Sequence, residues 1–189
     1  GHGEVDLKEA IKVSCNIYFY NSVMNNYKKV YKDKWYQWMK KLGFGSLTNI
    51  DLLYEKKAQI TEKPSKSKML NMVIGQEILV TPIQVLQMIN IIANEGYSYQ
   101  PHLDIQLGKI KFNSSYSPSV FKYIKKWMYD AIYENGGTAY NAKPDDNQVT
   151  AYGKTGTVQL CSDCDIEPHG WFGGFIKMKN GKTYSVCIL

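Results

Sequence analysis

Gly153-Lys154-Thr155-Gly156-Thr157 is the stretch whose residue types say most about chemistry. A phosphate loop of the G-x-x-x-x-G-K-T type needs a glycine five places before Gly153, and Gln148 stands there, inside a strand pattern and not at a strand-to-helix turn. Lys-Thr-Gly on a strand edging a cleft is the alternative. There the ammonium attracts a carboxylate, the hydroxyl binds it, and the glycine lets a substrate backbone approach closely. Taken alone, the triplet also fits an ordinary exposed strand. Ser14-x-Asn16 is the second feature: a hydroxyl and a carboxamide two apart, at a break between helices, can face one cleft as proton relay and amide partner, or simply cap a helix. Ser65-x-x-Lys68 spells a nucleophile motif, but that motif needs one helical turn to bring amine to hydroxyl. Pro64 and the polar run around it predict a loop instead. Cys161-x-x-Cys164, with His169 five residues on, has no second ligand pair at zinc-finger spacing and no β-α-β surroundings. A surface loop with a local disulfide or free thiols is expected there.

The elements that must position these groups follow from periodicity. Asp6 caps a short helix through Val13, Ser14-Cys15-Asn16 interrupts, and a second apolar face runs through Ile17, Tyr20, Val23 and Met24. Trp35, Trp38, Met39 and Leu42 fall at i, i+3, i+4, i+7, with Gly43 as the stop. Residues 44 to 80 mix Lys, Ser, Pro and Gly with short apolar pieces and predict a loop-rich connection. Thr81, Pro82 and Gln84 form a capping box that opens a helix with face Val85, Leu86, Ile89, Ile92 and Ala93, stopped at Gly96. Ser117-Pro118 opens another, with face Val120, Ile124, Trp127, Met128 and Ala131, ending at Asn135-Gly136-Gly137. From Val149 the period changes: Val149 to Gln159, Gly170 to Met178 and Lys182 to Leu189 predict three strands, the last two joined by an Asn180-Gly181 hairpin turn. Helices first and antiparallel strands last predict an α+β domain.

The chain has 189 residues, 44% of them hydrophobic, which suits one domain with a buried core and excludes disorder. Its 23 Lys+Arg and 17 Asp+Glu give a net charge of +6, spread along the chain and not gathered into a basic patch, so no nucleic-acid partner is expected. The longest apolar runs, such as Val85 to Ala93, are broken by Gln87 and Asn90, and no membrane span is expected. Four cysteines do not fix the redox compartment. Because the sequence opens on Gly1-His2-Gly3 and stops at Leu189 in an apolar run, an internal fragment is expected, with any targeting segment upstream.

Ser14-x-Asn16 and Lys154-Thr155-Gly156, in this order and about 140 residues apart, resemble two of the three motifs of the penicillin-recognising serine enzymes: S-x-x-K, S-D-N and K-T-G. The surroundings sharpen the match. Gly1-His2-Gly3-Glu4-Val5-Asp6-Leu7 through Ser14-Cys15-Asn16-Ile17-Tyr18-Phe19-Tyr20, Ile74-Gly75-Gln76 followed by Thr81-Pro82-Ile83-Gln84, Gly136-Gly137-Thr138-Ala139, Gly153 to Gln159 and His169-Gly170-Trp171-Phe172-Gly173-Gly174-Phe175 resemble class B penicillin-binding proteins of the elongation branch. The resemblance runs nearly end to end. It implies a single partial transpeptidase domain over 1–189, helical over about 4–137 and sheet-forming over about 148–189, with the nucleophile helix, first strands and membrane anchor upstream.

The activity so implied is a D,D-transpeptidase that cross-links peptidoglycan stem peptides by acyl transfer through a serine ester and is acylated by β-lactams. Carried over residue by residue, Ser14 relays the leaving-group proton, Asn16 binds the substrate amide, and Lys154 supports the relay. Thr155 contacts the terminal carboxylate, Gly156 keeps the strand open to substrate, and Thr157 lends a backbone N–H to the oxyanion. Asn16 stands where many relatives have Asp and keeps the carbonyl acceptor. Gly75-Gln76-Glu77 departs from the usual Ile-Gly-Gln-Gly at its last residue. The acylating serine and its lysine are expected before Gly1, so the 189 residues alone are expected to be inert. That chemistry requires no cofactor; some relatives bind a zinc beside the site, and the resemblance implies His2 and Cys15 as two of its ligands with carboxylates from upstream, the alternative being a buried cysteine near a turn histidine. A membrane-bound glycan polymerase is the implied partner, and the extracytoplasmic, periplasmic face of the inner membrane the implied location. A β-lactamase or D,D-carboxypeptidase of the same superfamily, and a non-catalytic peptidoglycan-binding scaffold, are the alternatives.

Overall fold

A computed structural model describes residues 2–107, 111–114, 116–159 and 167–189. The first element, α1 (Leu7–Lys12), starts where the Asp6 carboxylate accepts the Glu9 N–H at 2.7 Å. It stops at Val13, and Ser14 turns the chain through a left-handed φ of 57° before α2 (Asn16–Asn26) begins. The expected break between two helices is therefore present, and its pivot is the serine itself. A π-helical turn (Tyr27–Tyr31) joins α2 to α3 (Lys32–Lys41). Trp35 of α3 packs with Val23 of α2 and with Met69 and Met72 in a core of their own.

Those two methionines belong to α4 (Lys66–Met72), where a loop was expected. Ser65 is its N-cap, its hydroxyl accepting the Lys68 N–H at 3.2 Å, and Pro64 lies outside the helix, where its missing N–H costs nothing. The Thr81 capping box opens α5 (Pro82–Ala93) as expected. Gln84 of that box is fully buried and donates to the Ser46 and Lys56 carbonyls, so one side chain also ties the preceding connection to α5. A short antiparallel pair that the sequence reading did not foresee follows, β1 (Tyr97–Tyr99) with β2 (Lys111–Asn113).

Helix α6 (Pro118–Tyr133) buries a stripe offset from the expected one: Phe121, Lys125, Met128, Ala131 and Ile132 face inward, whereas Val120 is 45% exposed. The face expected for α2 needs the same correction, because Ile17 and Met24 are exposed and only Val23 is fully buried. After a 3-10 turn (Tyr140–Ala142), β3 (Val149–Val158), β4 (His169–Met178) and β5 (Thr183–Ile188) form an antiparallel meander in the order β3-β4-β5. Its register places Lys154 opposite Gly173 and Thr157 opposite Gly170. Phe175 of β4 packs with Ile89, Ile91 and Ile92 of α5 and Phe121 and Met128 of α6, which makes the sheet–helix core. Gly153 is required by close packing: a Cβ there would sit 2.3 Å from the Phe172 ring. The α+β class is as expected.

Candidate active site

The turn at Ser14 and strand β3 converge. Ser14 and Asn16 line one open cleft of about 430 Å³ together with Lys154, Thr155, Gly156 and Thr157, and with Thr138 and Gln76. The six residues expected to act on substrate thus share one cavity, although 138 positions separate Asn16 from Lys154. Two structural devices bring them there. On one side, Ser14 is fixed by the end of α1: the Cys15 N–H donates to the Ala10 carbonyl at 2.8 Å, which closes the turn behind the serine. Helix α1 is held against α6 by ion pairs of Lys8 with Asp130 and Glu134 and of Lys12 with Glu134. The Lys8 hydrogen bond in particular keeps the Glu134 carboxyl below its usual range.

On the other side, β3 is hydrogen-bonded to β4 along one edge only among the described strands, so its second edge faces the cleft. Gln76, from the turn after α4, donates to the Thr157 carbonyl at 3.4 Å and crosses that edge. Glu77 beside it adopts a left-handed φ of 57°, the conformation that a glycine takes without strain. Its side chain accepts from Asn71 and pairs with Lys68 at 3.8 Å, which holds the turn in the absence of glycine.

Lys154 is half-buried, not the exposed strand-edge lysine that the spacing alone suggests. Its Nζ donates to the Thr155 carbonyl at 3.0 Å and to Thr138 Oγ1 at 3.3 Å, two neutral acceptors. Burial, with no carboxylate partner among the described residues, pushes its pKa down to about 8. It is still mostly protonated at neutral pH, yet it can exchange its proton far more readily than an ordinary lysine. A hydroxyl, a carboxamide and a tunable ammonium over an open strand edge suit proton relay and the binding of a peptide carrying a carboxylate. Ser65 and Lys68 line no part of this cleft. The serine caps α4, and the lysine points to Glu77.

A model of the penicillin-binding protein transpeptidase domain matches residues 1–189. The chain belongs to that family. The peptidoglycan D,D-transpeptidase MrdA of Haemophilus influenzae is 28% identical over 223 residues, covering 100% of this chain and 34% of that protein. MrdA of Acinetobacter baumannii is 31% identical over 186 residues, covering 86% of the chain and 26% of its own length. The chain thus spans about a quarter to a third of the length of these relatives. Penicillin-binding protein PBP2 of Helicobacter pylori, solved in complex with MreC, superposes with a TM-score of 0.86 at 25% identity, over 99% of this chain and 36% of that one. Pseudomonas aeruginosa PBP2 in complex with WCK 5153 shares the fold, with a TM-score of 0.77 at 22% identity.

Within this family member, His2 and Cys15 line a second hollow of about 760 Å³ that adjoins the cleft through Ser14 and Asn16. Cys15 is buried, and a thiol with an imidazole is a donor pair that suits zinc. Among the described residues no group of three His, Cys, Asp or Glu side chains could hold a metal, so these two would be a partial ligand set. The Cys161 and Cys164 pair lies outside the described residues, and Cys187 is a free thiol raised in pKa by burial. No helix among the described residues is long and apolar enough to cross a membrane. Sequence reasoning missed Thr138 as a cleft residue with a part to play. Its signal was the Gly136-Gly137-Thr138-Ala139 motif, whose loop geometry gives no hint of where the hydroxyl lands.

Proposed function

We propose that this chain forms the Ser-x-Asn and Lys-Thr-Gly walls of the active site of a peptidoglycan D,D-transpeptidase, with the acylating serine and its lysine supplied by sequence outside the 189 residues. The observation that carries the reading is the single cleft lined by Ser14, Asn16, Lys154, Thr155, Gly156 and Thr157. In the acylation step the nucleophilic serine oxygen attacks the carbonyl of the penultimate D-alanine of a stem peptide. The serine proton passes through Ser14 to the departing amine of the terminal D-alanine, the C–N bond breaks, and a serine ester remains. The amine of a second stem peptide then displaces the serine, which recovers a proton. Asn16 accepts from or donates to the substrate amide, Thr155 binds the terminal carboxylate with the Lys154 charge behind it, and the Thr157 N–H supports the oxyanion. A β-lactam presents the same carboxylate and carbonyl and stops at the ester.

The reading extends to the setting. The protein works at the extracytoplasmic face of the membrane beside a glycan polymerase, and His2 with Cys15 supplies two of the ligands of a zinc that braces the Ser14 turn. The test is the acylation rate of the full-length protein with a fluorescent penicillin. Lys154→Ala and Asn16→Ala should each slow it on the order of 10²-fold without lowering the melting temperature. Normal acylation in both variants would overturn the reading. A non-catalytic scaffold would show no acylation in any form.

A further inference from the structure

Thr138 belongs to none of the motifs to which a role has been given, yet it touches both walls of the cleft. Its backbone N–H donates to the Lys12 carbonyl at 3.2 Å, two residues before Ser14, and its hydroxyl accepts from Lys154 Nζ at 3.3 Å. The residue is carried by the loop after α6. That loop is fixed on its other side by the Ala139 N–H donating to the Ala131 carbonyl at 3.1 Å and by the tight seat of Gly137, where a Cβ would lie 2.3 Å from the same carbonyl oxygen. A small hydroxylated side chain on a rigid loop therefore spans the gap between the end of α1 and the ammonium on β3.

We propose that Thr138 is a positioning residue for the transfer reaction, a strut that holds the Lys154 ammonium in register with the Ser14 turn by accepting its hydrogen bond. This rests on the function proposed above. The charged groups around the strut support it. From α1 and α6, Lys8, Lys12, Asp130 and Glu134 are engaged with one another. From β4, His169 sits opposite Val158 and Lys177 opposite Thr150, at either end of β3. None of them is a carboxylate paired with Lys154, whose position is set by the Thr138 hydroxyl and the Thr155 carbonyl. Removing one of two acceptors from a cation that burial already disfavours should both free the side chain and lower its proton affinity. Thr138 is itself exposed, so its replacement leaves the core intact.

The test uses the full-length protein and two readouts. In the first, penicillin acylation is followed from pH 6 to 10; the rate should fall as Lys154 loses its proton. In Thr138→Val, which keeps the shape and loses the hydroxyl, that alkaline limb should move down by about 0.5 to 1 pH unit, with the rate at neutral pH reduced about tenfold. Thr138→Ser should restore both. The second readout is the Lys154 side-chain titration by NMR with labelled lysine, which needs no acylation: its midpoint should fall in Thr138→Val and recover in Thr138→Ser. An unchanged Lys154 midpoint in Thr138→Val would overturn the proposal. So would a Thr138→Ser variant that behaves like Thr138→Val, because the methyl group and not the hydroxyl would then be responsible. Absence of acylation in the wild type would instead count against the proposed function, while the NMR midpoints would still decide the role of Thr138.

Discussion

Replacing Lys154 by methionine tests the electrostatics of the cleft in a way that separates stability from activity. The ordinary lysine value is 10.5, and burial brings Lys154 to about 8. Each unit is worth about 1.36 kcal/mol, so the folded protein carries a penalty of up to roughly 3 kcal/mol for the charged form, lessened to about 1 to 2 kcal/mol by the half-open setting. The sign follows from proton binding. Below pH 8 both states hold the proton and the full penalty stands. Between 8 and 10.5 the unfolded chain binds more protons than the folded one, so stability rises with pH, and above 10.5 the penalty is gone. Lys154→Met has no such charge, so wild-type stability relative to the variant should climb by about 1 to 2 kcal/mol between pH 7 and 10.5. Tyr116, Tyr152 and Cys187, whose pKa values burial raises, titrate in both proteins and cancel in the difference. Urea unfolding followed by tryptophan fluorescence at a series of pH values measures it. At neutral pH the variant should be at least as stable as the wild type while losing acylation. A stability difference that stays flat or falls with pH would refute the reasoning, because Lys154 would then be solvated or ion-paired.

Three further outcomes follow from single contacts. Gly153→Ala would place a methyl group 2.3 Å from the Phe172 ring, and such overpacking should cost about 1 to 3 kcal/mol, read as a lowered melting temperature. Glu77→Gly relieves a left-handed residue that costs about 1 to 2 kcal/mol in that conformation but gives up the contacts to Asn71 and Lys68. Its stability should rise by up to about 1 kcal/mol, and a clear loss would mean that those contacts outweigh the strain. If His2 and Cys15 hold zinc, metal analysis of the full-length protein should find close to one zinc per chain, and Cys15→Ser should lose it while Cys161→Ser keeps it.

What the sequence disclosed about the candidate site came through the resemblance, because Ser14-x-Asn16 and Lys154-Thr155-Gly156 each also fit an ordinary cap or strand alone, and only their order and surroundings point to one cleft. Ser14, Asn16 and the residues from Lys154 to Thr157 could be named before their convergence was known. The Thr81 capping box and the Asn180-Gly181 turn were equally legible, since their signals are local. Helix α4 was hidden because only two of its seven residues, Met69 and Met72, are fully buried, and four positions from Ser65 to Lys68 look like linker. The exposed Ile17, Met24 and Val120 show why periodicity placed helices correctly but misjudged their buried faces: an apolar side chain at helical spacing reports a helix, whereas its burial depends on neighbours far away in the chain. The same is true of Lys154. Its depressed pKa comes from burial, which exists only once distant parts of the chain meet β3 in the folded molecule.

Ser14, Asn16 and Lys154 are proposed to serve an acylating serine located elsewhere in the full-length protein. Mass-spectrometric mapping of the penicillin adduct on that protein tests this most directly. One adduct is expected, on a serine of a Ser-x-x-Lys sequence outside these 189 residues, forming on the order of 10²-fold more slowly in Lys154→Ala. An adduct on Ser14, Ser65 or any other serine within the chain, or one that forms at the normal rate without Lys154, would contradict it.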